Sequence, residues 1–378
     1  MNLFDVYSLL DMEPVKAQGA YLWDKKGEEY LDFYGGHAVI SIGHTHPHYV
    51  EKISEQLSKI GFYPNAVINS LQVELAEKLG ALSGYDDYSL FLCNSGAEAN
   101  ENALKLASFT TGRERVLAIK AAFHGRTSLA VTVTDNPAIQ APVNKSDKIS
   151  FVELNDVEAL REELQKGEYA AVIIEPIQGV GGIQVASDEF LMAAREACDA
   201  TGTMLIADEI QAGYGRSGKF FSHQWSGVKA DIITLAKGIG NGFPIGAVMI
   251  SPLIPAKKGM LGTTFGGSHL ACAAAIAVAD VVKDENLVEN ARVMGEKIMT
   301  GIAGVSGVKD IRGRGLIIGI DLSVPQADFR KVLREKHHIM TGLTGQYTLR
   351  LLPPLMIGQK EVDRFVEAFR ATAQEMEM

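Results

Sequence analysis

Five short apolar runs, separated by stretches with helical spacing, constrain the fold of this chain more than any other sequence feature. They read SLFLCNS near 89–95, RVLAIK at 115–120, AVIIEP at 171–176, TMLIADE at 203–209 and DIITLAKG at 231–238. Such alternation of strands and helices predicts an α/β fold with a mostly parallel sheet between helices. Most of the runs end in polar or glycine residues, and ligands of open α/β sheets bind beyond the carboxyl ends of the strands. We therefore expect one site where these ends converge.

A second, smaller unit is predicted from the residues that follow position 282. A long amphipathic helix, strand-like runs, a further helix and a closing helix indicate an α+β arrangement. Because 378 residues exceed the size at which a single core usually stops growing, more than one domain is expected. We predict a large domain over 45–282 and a small domain over 283–378. Residues 1–44 contain GAYLWDKKGEEYLDFYGG, which indicates a hairpin that packs with the small domain.

The charge of the chain excludes several classes of partner. It carries 36 Lys and Arg against 46 Asp and Glu, a formal net charge of -10, and no basic stripe offsets this. A nucleic acid or an anionic membrane would be repelled, so small molecules are the expected partners. The N-terminal MNLFDVYSLLDMEP is unlike a secretory signal, no run is long and apolar enough to cross a bilayer, and three scattered cysteines suit reduced thiols. These features predict a cytoplasmic location.

The motif LIADEIQAGYGRSG at 205–218 brings Asp208 to the carboxyl end of an apolar strand. A buried carboxylate needs a cationic or hydrogen-bond-donating partner, because its desolvation alone is prohibitive. The protonated nitrogen of a pyridine ring is such a partner, and holding that proton makes the ring an electron sink. A strand-end acid that caps the next helix or binds a metal fits the same pattern, and the motif alone leaves both interpretations open.

Lys237, in TLAKGIGNGFPIG, also follows an apolar strand. Its amine, with a reference pKa of roughly 10.4, is charged at neutral pH, so a position at an apolar strand end requires a reason. Formation of a Schiff base, whose carbon exchanges with an incoming amine, is one reason. A side chain that extends to solvent is the alternative. The glycines that follow match neither the Walker pattern nor GxGxxG, so no nucleotide site is predicted.

The segment NSGAEANENALKLA at 94–107 leads from a strand into a helix with apolar residues at helical spacing. Free backbone N–H groups at such a helix start bind phosphate, aided by the helix dipole and by a glycine that admits close approach. Capping of the helix by Ser95 explains the same residues and is compatible with phosphate binding.

Three further segments carry candidate contacts. In AFHGRT at 122–127, Phe123 suits stacking on a planar ring and Arg126 suits a carboxylate, although a core phenylalanine and a surface ion pair are the alternatives. GTTFGG at 262–267 places two hydroxyls beside glycines, which suits a phosphate, a carboxylate or a turn. GHTHPH at 43–48 has three alternating histidines but no accompanying cysteine or carboxylate cluster, so packing and hydrogen bonding are favoured and no metal is predicted.

Together, the order and spacing of these motifs resemble the class III aminotransferases, within the fold type I group of pyridoxal-phosphate enzymes. The most specific match is DEIQAGYGRSG followed by Lys237, 29 residues after Asp208 (237 minus 208). NSGAEANE, FHGRT, EPIQ and TFGG occur in the family's order, and the likeness covers nearly the whole chain. The resemblance implies a large domain with a mostly parallel seven-stranded sheet, a smaller α+β domain and pyridoxal 5′-phosphate as cofactor. It also implies a homodimer with active sites at the subunit interface.

The resemblance further implies a role for each matching residue around the cofactor ring. Lys237 would hold the cofactor as a Schiff base and move protons, and Asp208 would pair with the ring nitrogen. Gln211 would contact the ring hydroxyl, and Ile210 and Phe123 would lie on the two faces of the ring.

The remaining implied roles concern the phosphate and the substrate. The phosphate-binding and other cofactor-binding residues would be Ser95, Gly96, Ala97, His124, Glu175 and, from the neighbouring subunit, Thr264. Arg126 would bind the α-carboxylate of the substrate, with Thr263 and Arg350 near the same substrate.

Within the family, the chain is most similar to the acetylornithine aminotransferases of arginine biosynthesis, and LDFYGGHAVISIGH with LRLLPPL resembles the branch associated with N-succinylornithine. This implies transfer of the terminal amino group of an N2-acylornithine, acetyl or succinyl, to 2-oxoglutarate. One departure matters, because many relatives have a glutamate, thought to pair with an arginine, where this chain has Val180. With Val180 uncharged, Arg350 or another arginine is expected to stay free for a substrate carboxylate such as that of a succinyl group.

Three other functions fit parts of the pattern. An ω-aminotransferase for ornithine, 4-aminobutyrate or a related diamine uses the same catalytic residues. An aminomutase returns the amino group to the same carbon skeleton and needs no added 2-oxo acid. A non-enzymatic cofactor-binding regulatory domain is disfavoured by the intact lysine, acid and arginine.

Overall fold

The computed structural model describes residues 1–378. Its strands are β1 (Pro14–Gln18), β2 (Tyr21–Asp24), β3 (Glu29–Phe33), β4 (Ser89–Cys93), β5 (Arg115–Ile119), β6 (Ile149–Val152), β7 (Tyr169–Ile174), β8 (Ile177–Gln178), β9 (Gln184–Val185), β10 (Met204–Asp208), β11 (Ile232–Leu235), β12 (Gly246–Ile250), β13 (Val308–Arg314), β14 (Ile317–Leu322), β15 (Ile339–Thr344) and β16 (Thr348–Leu351).

The α-helices are α1 (Gly35–Ala38), α2 (Pro47–Lys59), α3 (Ser70–Ser83), α4 (Gly96–Thr111), α5 (Ser128–Thr132), α6 (Val157–Gln165), α7 (Asp188–Thr201), α8 (His269–Asp284), α9 (Leu287–Ile302), α10 (Gln326–His337) and α11 (Gln359–Glu375). Short 3₁₀ helices cover Pro137–Ile139, Pro142–Asn144, Ser222–Trp225 and Lys237–Ile239. No helix combines the length and the apolar character that a membrane crossing requires.

The larger sheet contains seven strands in the order β4-β12-β11-β10-β7-β5-β6. Only β12 runs against the others, since it pairs antiparallel with both β4 and β11 while the remaining pairs are parallel. Every residue of β7 is buried, as expected for a strand covered on both faces. The prediction of a mostly parallel seven-stranded sheet between helices is confirmed.

This sheet separates two apolar cores, and the alternation of side chains decides which residue joins which core. Ile206 and Ile232 pack with the buried face of α4, whereas Leu205 and Ile233 belong to the core on the opposite face. Asp208 has the same parity as Ile206, so the carboxylate at the end of β10 emerges on the α4 side of the sheet.

The second sheet also has seven strands, in the order β1-β2-β3-β15-β16-β14-β13. The hairpin expected near the N-terminus is β2 with β3, and β3 pairs in parallel with β15 through Leu31 and Ile339. Residues from both ends of the chain therefore complete one sheet. The domain boundaries at residues 44 and 282 stay predictions.

The three histidines of the 43–48 segment each hydrogen bond a different carboxylate. His44 Nε2 lies 2.9 Å from Asp32, His46 Nε2 lies 2.9 Å from Glu285, and His48 Nε2 lies 3.2 Å from Asp280. These contacts tie the start of α2 to the second sheet and to the end of α8. The three cysteines are buried and unpaired.

Candidate active site

The strand ends of the larger sheet open on a cavity of about 280 Å³. Its walls are Gly96, Ala97, Phe123, His124, Gly125, Arg126, Glu175, Asp208, Ile210, Gln211 and Lys237. Ten of these eleven residues are candidate site residues from the sequence, and Gly125 is the other. The candidates that do not line this cavity are Ser95, Thr263, Thr264 and Arg350.

Asp208, the last residue of β10, is buried and surrounded by donors. Its Oδ2 accepts a hydrogen bond from Asn100 Nδ2 at 2.8 Å and lies 2.7 Å from His124 Nδ1. Its Oδ1 accepts the backbone N–H of Ile210 at 3.1 Å. These contacts fix the plane of the carboxylate at the cavity wall and satisfy the requirement that a buried charge be hydrogen-bonded.

Lys237 follows β11, the strand next to β10, and begins a short 3₁₀ helix. Its φ of 50° lies in the left-handed region, which residues other than glycine seldom adopt and which is frequent at functional sites. Burial lowers the pKa of the Lys237 amine, while the carboxylates of Asp208 and Glu175 act in the opposite direction. A lowered pKa raises the fraction of neutral amine, the form that reacts with carbonyl carbons.

Glu175 follows β7 and is buried beside the same cavity. Its two oxygens accept the backbone N–H groups of Phe123 at 2.8 Å and Gly179 at 3.0 Å. Burial raises the pKa of this carboxyl group, and nearby His124 opposes the rise. Glu175 thereby links the loop after β5 to the segment 175–183, which contains the two-residue strand β8 and is called the loop after β7 below.

Helix α4 begins at the cavity, and Ser95 caps it. Ser95 Oγ accepts the N–H of Glu98 at 3.2 Å, and Ser95 itself is exposed. The N–H groups of Gly96 and Ala97 belong to the first turn, where no partner exists within the helix. A Cβ atom at position 96 would lie 2.9 Å from the Cδ1 atom of Ile210, so a larger residue there would require the Ile210 side chain to shift.

Gln211 extends between the cavity and the loop after β7. Its Nε2 donates to the carbonyl of His37 at 3.0 Å, and its Oε1 is buried without a partner. A Cβ atom on Gly179 would lie 1.8 Å from that oxygen. The absence of a side chain at position 179 is therefore a condition for the present position of the Gln211 amide.

The loop after β5 places Phe123 and Arg126 at the mouth of the cavity. The guanidinium carbon of Arg126 lies 6.0 Å from the centroid of the Phe123 ring, at the limit of a cation–π contact. Arg126 is exposed. Arg126 therefore both lines the cavity and is open to solvent.

Arg350, on β16, is buried outside the cavity wall. Its Nη1 donates to the carbonyl of Gly179 at 2.7 Å, and its Nε has no partner. Burial lowers the pKa of Arg350, while Tyr34 and Glu175 act in the opposite direction. Val180, next to Gly179, is 42% exposed. The hydrogen-bond acceptor of Arg350 in this loop is thus the backbone carbonyl of Gly179 rather than a side-chain carboxylate.

Thr263 and Thr264 lie apart from this cavity. Thr263 Oγ1 accepts hydrogen bonds from Asn94 Nδ2 at 3.3 Å and from the N–H of Gly266 at 3.1 Å, which is turn chemistry. It lines a separate groove with Asn65 and Leu90. Thr264 is exposed.

Sequence reasoning missed Asn100. Asn100 lies four residues after Gly96 on the buried face of α4, and a polar residue amid the apolar spacing of that helix was the available signal. Glu209 follows Asp208 but points to the opposite face of the sheet, where it accepts the N–H groups of Ser222 and His223 at 2.9 Å each. Alternation along a strand separates these two acids.

The pattern of the family described as aminotransferase class-III matches residues 6–372. The chain belongs to this family. Among similar proteins, an acetylornithine aminotransferase from Methanosarcina mazei is 40% identical over 356 residues, which cover 93% of this chain and 89% of the relative.

Solved structures of class III aminotransferases agree with this assignment. The acetylornithine aminotransferase from Elizabethkingia anophelis superposes with a TM-score of 0.87 at 32% identity, covering 98% of this chain and 96% of that one. An ornithine aminotransferase from Toxoplasma gondii, described with partial occupancy of pyridoxal phosphate at its active site, gives a TM-score of 0.91 at 30% identity over 99% and 94% of the two chains. The present chain is a pyridoxal-phosphate-dependent aminotransferase.

The residues around the cavity suit this cofactor. Unpartnered backbone N–H groups at a helix start bind phosphate, and an amine and a hydrogen-bonded carboxylate line the same cavity. Two buried atoms on its wall, Gln211 Oε1 and His124 Nε2, have no partner within the protein and match the polar periphery of such a ring. The donor set therefore fits a planar, phosphorylated, nitrogen-containing ligand.

Replacement of Gly179 tests the packing of this wall. We expect Gly179→Ala to lower the free energy of unfolding of the cofactor-free protein by about 2 kcal/mol, since overpacking of a filled interior costs that much. In a Gln211→Ala background the same change is expected to cost less than half as much, because the atom that it meets is gone. Urea unfolding of the four proteins measures both values, and an equal cost in the two backgrounds would contradict the proposed contact.

Proposed function

We propose that this aminotransferase moves the terminal amino group of an N2-acylornithine to 2-oxoglutarate, as a step of arginine biosynthesis. One observation carries the proposal: Lys237 and Asp208 line one cavity in a chain 40% identical to an acetylornithine aminotransferase over most of its length. Asp208 ends β10 and Lys237 lies two residues after the neighbouring parallel strand β11, so the sheet brings the two residues to the same edge.

Lys237 and Asp208 have complementary roles in the proposed reaction. Lys237 Nζ would form the covalent link to the cofactor and, when free, would be the group that moves a proton at the substrate carbon. The Asp208 carboxylate would face the protonated ring nitrogen, and its three hydrogen-bond partners keep the carboxylate oriented for that contact. The bound cofactor supplies an electron sink for the bond broken at the substrate carbon.

The other wall residues hold the cofactor in place. The N–H groups of Gly96 and Ala97 would bind the phosphate at the start of α4, where Ser95 fixes the first turn. Phe123 and Ile210 would lie against the two faces of the ring, and the unpartnered Oε1 of Gln211 would accept a hydrogen bond from the ring hydroxyl.

His124 and Glu175 support the wall residues. His124 contacts Asp208, and Glu175 joins the loops that carry Phe123 and Gly179. Both side chains would thus influence the cofactor indirectly, His124 through Asp208 and Glu175 through the two loops.

Two arginines are the proposed substrate-binding residues, Arg126 at the cavity and Arg350 behind the loop after β7. Arg126, exposed at the cavity mouth, binds the α-carboxylate in a bidentate manner. Arg350 supplies a second guanidinium group toward a distal carboxylate, such as that of 2-oxoglutarate. Thr263 lies outside this cavity, so its expected place near the substrate would require that it act from a second chain, as inferred below for Thr264.

We infer that two copies of the chain complete each site. Thr264 is exposed and outside its own cavity, beside the exposed Phe265, whose ring lies 5.1 Å from that of Phe62. Exposed apolar side chains near the same groove, a feature typical of interaction sites, are Tyr63, Val67, Ile68 and Val73. A second chain that covers this surface would receive Thr264 at its phosphate.

An ornithine aminotransferase is the second candidate, because the Toxoplasma gondii enzyme of that description superposes with a TM-score of 0.91. It would use the same lysine and acid. The two functions differ in whether the α-amino group of the substrate carries an acyl group.

The test of the proposed function is an amino-transfer assay with N2-acetylornithine, N2-succinylornithine and free ornithine. We expect the acylated substrates to give kcat/KM at least tenfold above that of ornithine, and turnover to cease without an added 2-oxo acid. Lys237→Ala is expected to lose activity and the borohydride-reducible link to pyridoxal phosphate, while Lys219→Ala, an exposed lysine, keeps both. Turnover without a 2-oxo acid would indicate an aminomutase, and a preference for ornithine would indicate the second candidate.

The acyl group is addressed by Val180→Glu, with Val180→Gln as the uncharged control of the same size. We propose that Arg350 binds the distal carboxylate of a succinyl group because Val180 offers it no charge. A carboxylate at position 180 would compete for that guanidinium, so we expect the ratio of kcat/KM for succinylornithine over acetylornithine to fall about tenfold, the loss of a charged hydrogen bond. Equal preference for the acetyl substrate in wild type and variant would refute the role of Val180.

The subunit interface is addressed by Phe265→Glu, with Met192→Glu as the control at an exposed apolar residue on the outer helix α7. A charge in an apolar interface leaves an unpaired group on burial, so we expect Phe265→Glu to sediment as a single chain. Its affinity for pyridoxal phosphate should fall with the loss of Thr264, whereas the control should sediment as the wild-type dimer. A wild type that sediments as one chain would exclude the shared site.

A further inference from the structure

The position of Asn100 is energetically unfavourable for an asparagine unless its side-chain amide forms hydrogen bonds. It lies within the 16-residue helix α4, is fully buried, and neighbours Ala99 and Ala103 on the face that packs on the sheet. Asparagine is less favourable than alanine or leucine inside a helix, and a buried amide without partners costs further free energy.

The contacts of Asn100 identify that task. One N–H of Nδ2 donates to Asp208 Oδ2 at 2.8 Å, and Nδ2 also donates to the carbonyl of His124 at 2.7 Å. His124 Nδ1 lies 2.7 Å from the same carboxylate oxygen. A single amide thus joins helix α4, the end of β10 and the loop after β5.

The next residue, Glu101, anchors the far end of that loop. Its Oε1 accepts the N–H of Ala130 at 2.8 Å and the hydroxyl of Thr127 at 3.3 Å. The segment that carries Arg126 is therefore held by Asn100 before it and by Glu101 after it.

Helix α4 sets a fixed distance between two parts of the site. Gly96 and Asn100 are four residues apart, which corresponds to about 6 Å along a helix axis. The N–H group of Gly96 would face the phosphate, and Asn100 holds the Asp208 carboxylate that would face the ring nitrogen. A helix is stiff over one turn, so a shift of either group moves the other.

We propose that Asn100 is a positioning residue for the transamination site: its amide locks Asp208 and the backbone of His124 to the helix that binds the phosphate. This inference rests on the proposed roles of Lys237 and Asp208. It predicts that the amide acts on cofactor binding and on the proton of the ring nitrogen through Asp208, without touching the substrate.

The experiment compares Asn100→Ala and Asn100→Asp with the wild type, and uses Asn102→Ala as the matched control. Asn102 lies on the same helix, and its Nδ2 donates only to the carbonyl of Glu98 within that helix. The dissociation constant of pyridoxal phosphate is measured by absorbance titration of the cofactor-free proteins. We expect it to rise about tenfold in Asn100→Ala, the loss of a hydrogen bond to a charged group, and further in Asn100→Asp, whose carboxylate cannot donate and repels Asp208.

A second readout separates positioning from simple packing. The pH at which the visible band of the bound cofactor changes is expected to move upward by about one unit in both Asn100 variants, a tenfold change in proton affinity. If the ring nitrogen is less often protonated, it carries less positive charge. The nitrogen of Lys237 then keeps its own proton up to a higher pH. Asn102→Ala should match the wild type in both measurements. Glu101→Ala should raise KM for the acylornithine through Arg126 while leaving the band unchanged.

The outcomes distinguish this inference from the proposed function. Wild-type affinity and an unmoved band in Asn100→Ala would overturn the positioning role, as would loss of the helical circular dichroism signal in both variants, which would assign Asn100 to folding alone. A wild type that fails to bind pyridoxal phosphate, or a Lys237→Ala protein that keeps the reducible link, would instead overturn the proposed function itself.

Discussion

The site depends on opposite charges held at the ends of neighbouring parallel strands. β10 ends in Asp208 and β11 leads into Lys237, so both groups emerge at one edge of the sheet. Neither charge tolerates burial alone, because desolvation costs several kcal/mol per ion. Burial lowers the pKa of Lys237, and the two nearby carboxylates oppose that shift. The parallel arrangement thus brings an amine and an acid to the wall of one cavity.

The loop after β7 connects this cavity to the second sheet. Three successive donors from that sheet bind carbonyl groups of the loop: Arg350 to Gly179, Thr344 to Val180 and Arg312 to Gly182. The same loop donates the N–H of Gly179 to Glu175 and lies against Gln211. Its backbone therefore transmits the position of the second sheet to the cavity wall, and Arg312 is itself fixed by the carboxylate of Asp321 at 2.8 Å.

The sequence predicts which residues meet at this cavity where the signal is local. Apolar runs that end in Asp208, Lys237 and Glu175 identify strand ends, and parallel strand ends converge whatever the rest of the fold. The helix start at Gly96 is local for the same reason. The larger sheet followed from the rhythm of the runs, and the hairpin near the N-terminus followed from its turn residues.

What the sequence could not predict depends on contacts between distant positions. Asn100 meets Asp208 across 108 residues, and Arg350 meets Gly179 across 171. The spacing of apolar residues along the sequence does not indicate such pairs, because they form only when separate elements pack together. The side of the sheet that Glu209 occupies was, in contrast, available from the two-residue period of strands.

The second sheet has a consequence for how the chain acquires its shape during synthesis. β3 pairs with β15, and Leu31 meets Ile339 only when nearly nine tenths of the chain has been made. The strands of the larger sheet, by contrast, all lie between residues 89 and 250 and need no later segment to pair. The first hairpin therefore leaves the ribosome as an edge without its neighbour, and contacts of such long sequence separation form late and slowly. A nascent chain of this protein therefore exposes the unpaired edge of β3 until about its last forty residues are made, and such an edge is a place where strands of other chains can pair.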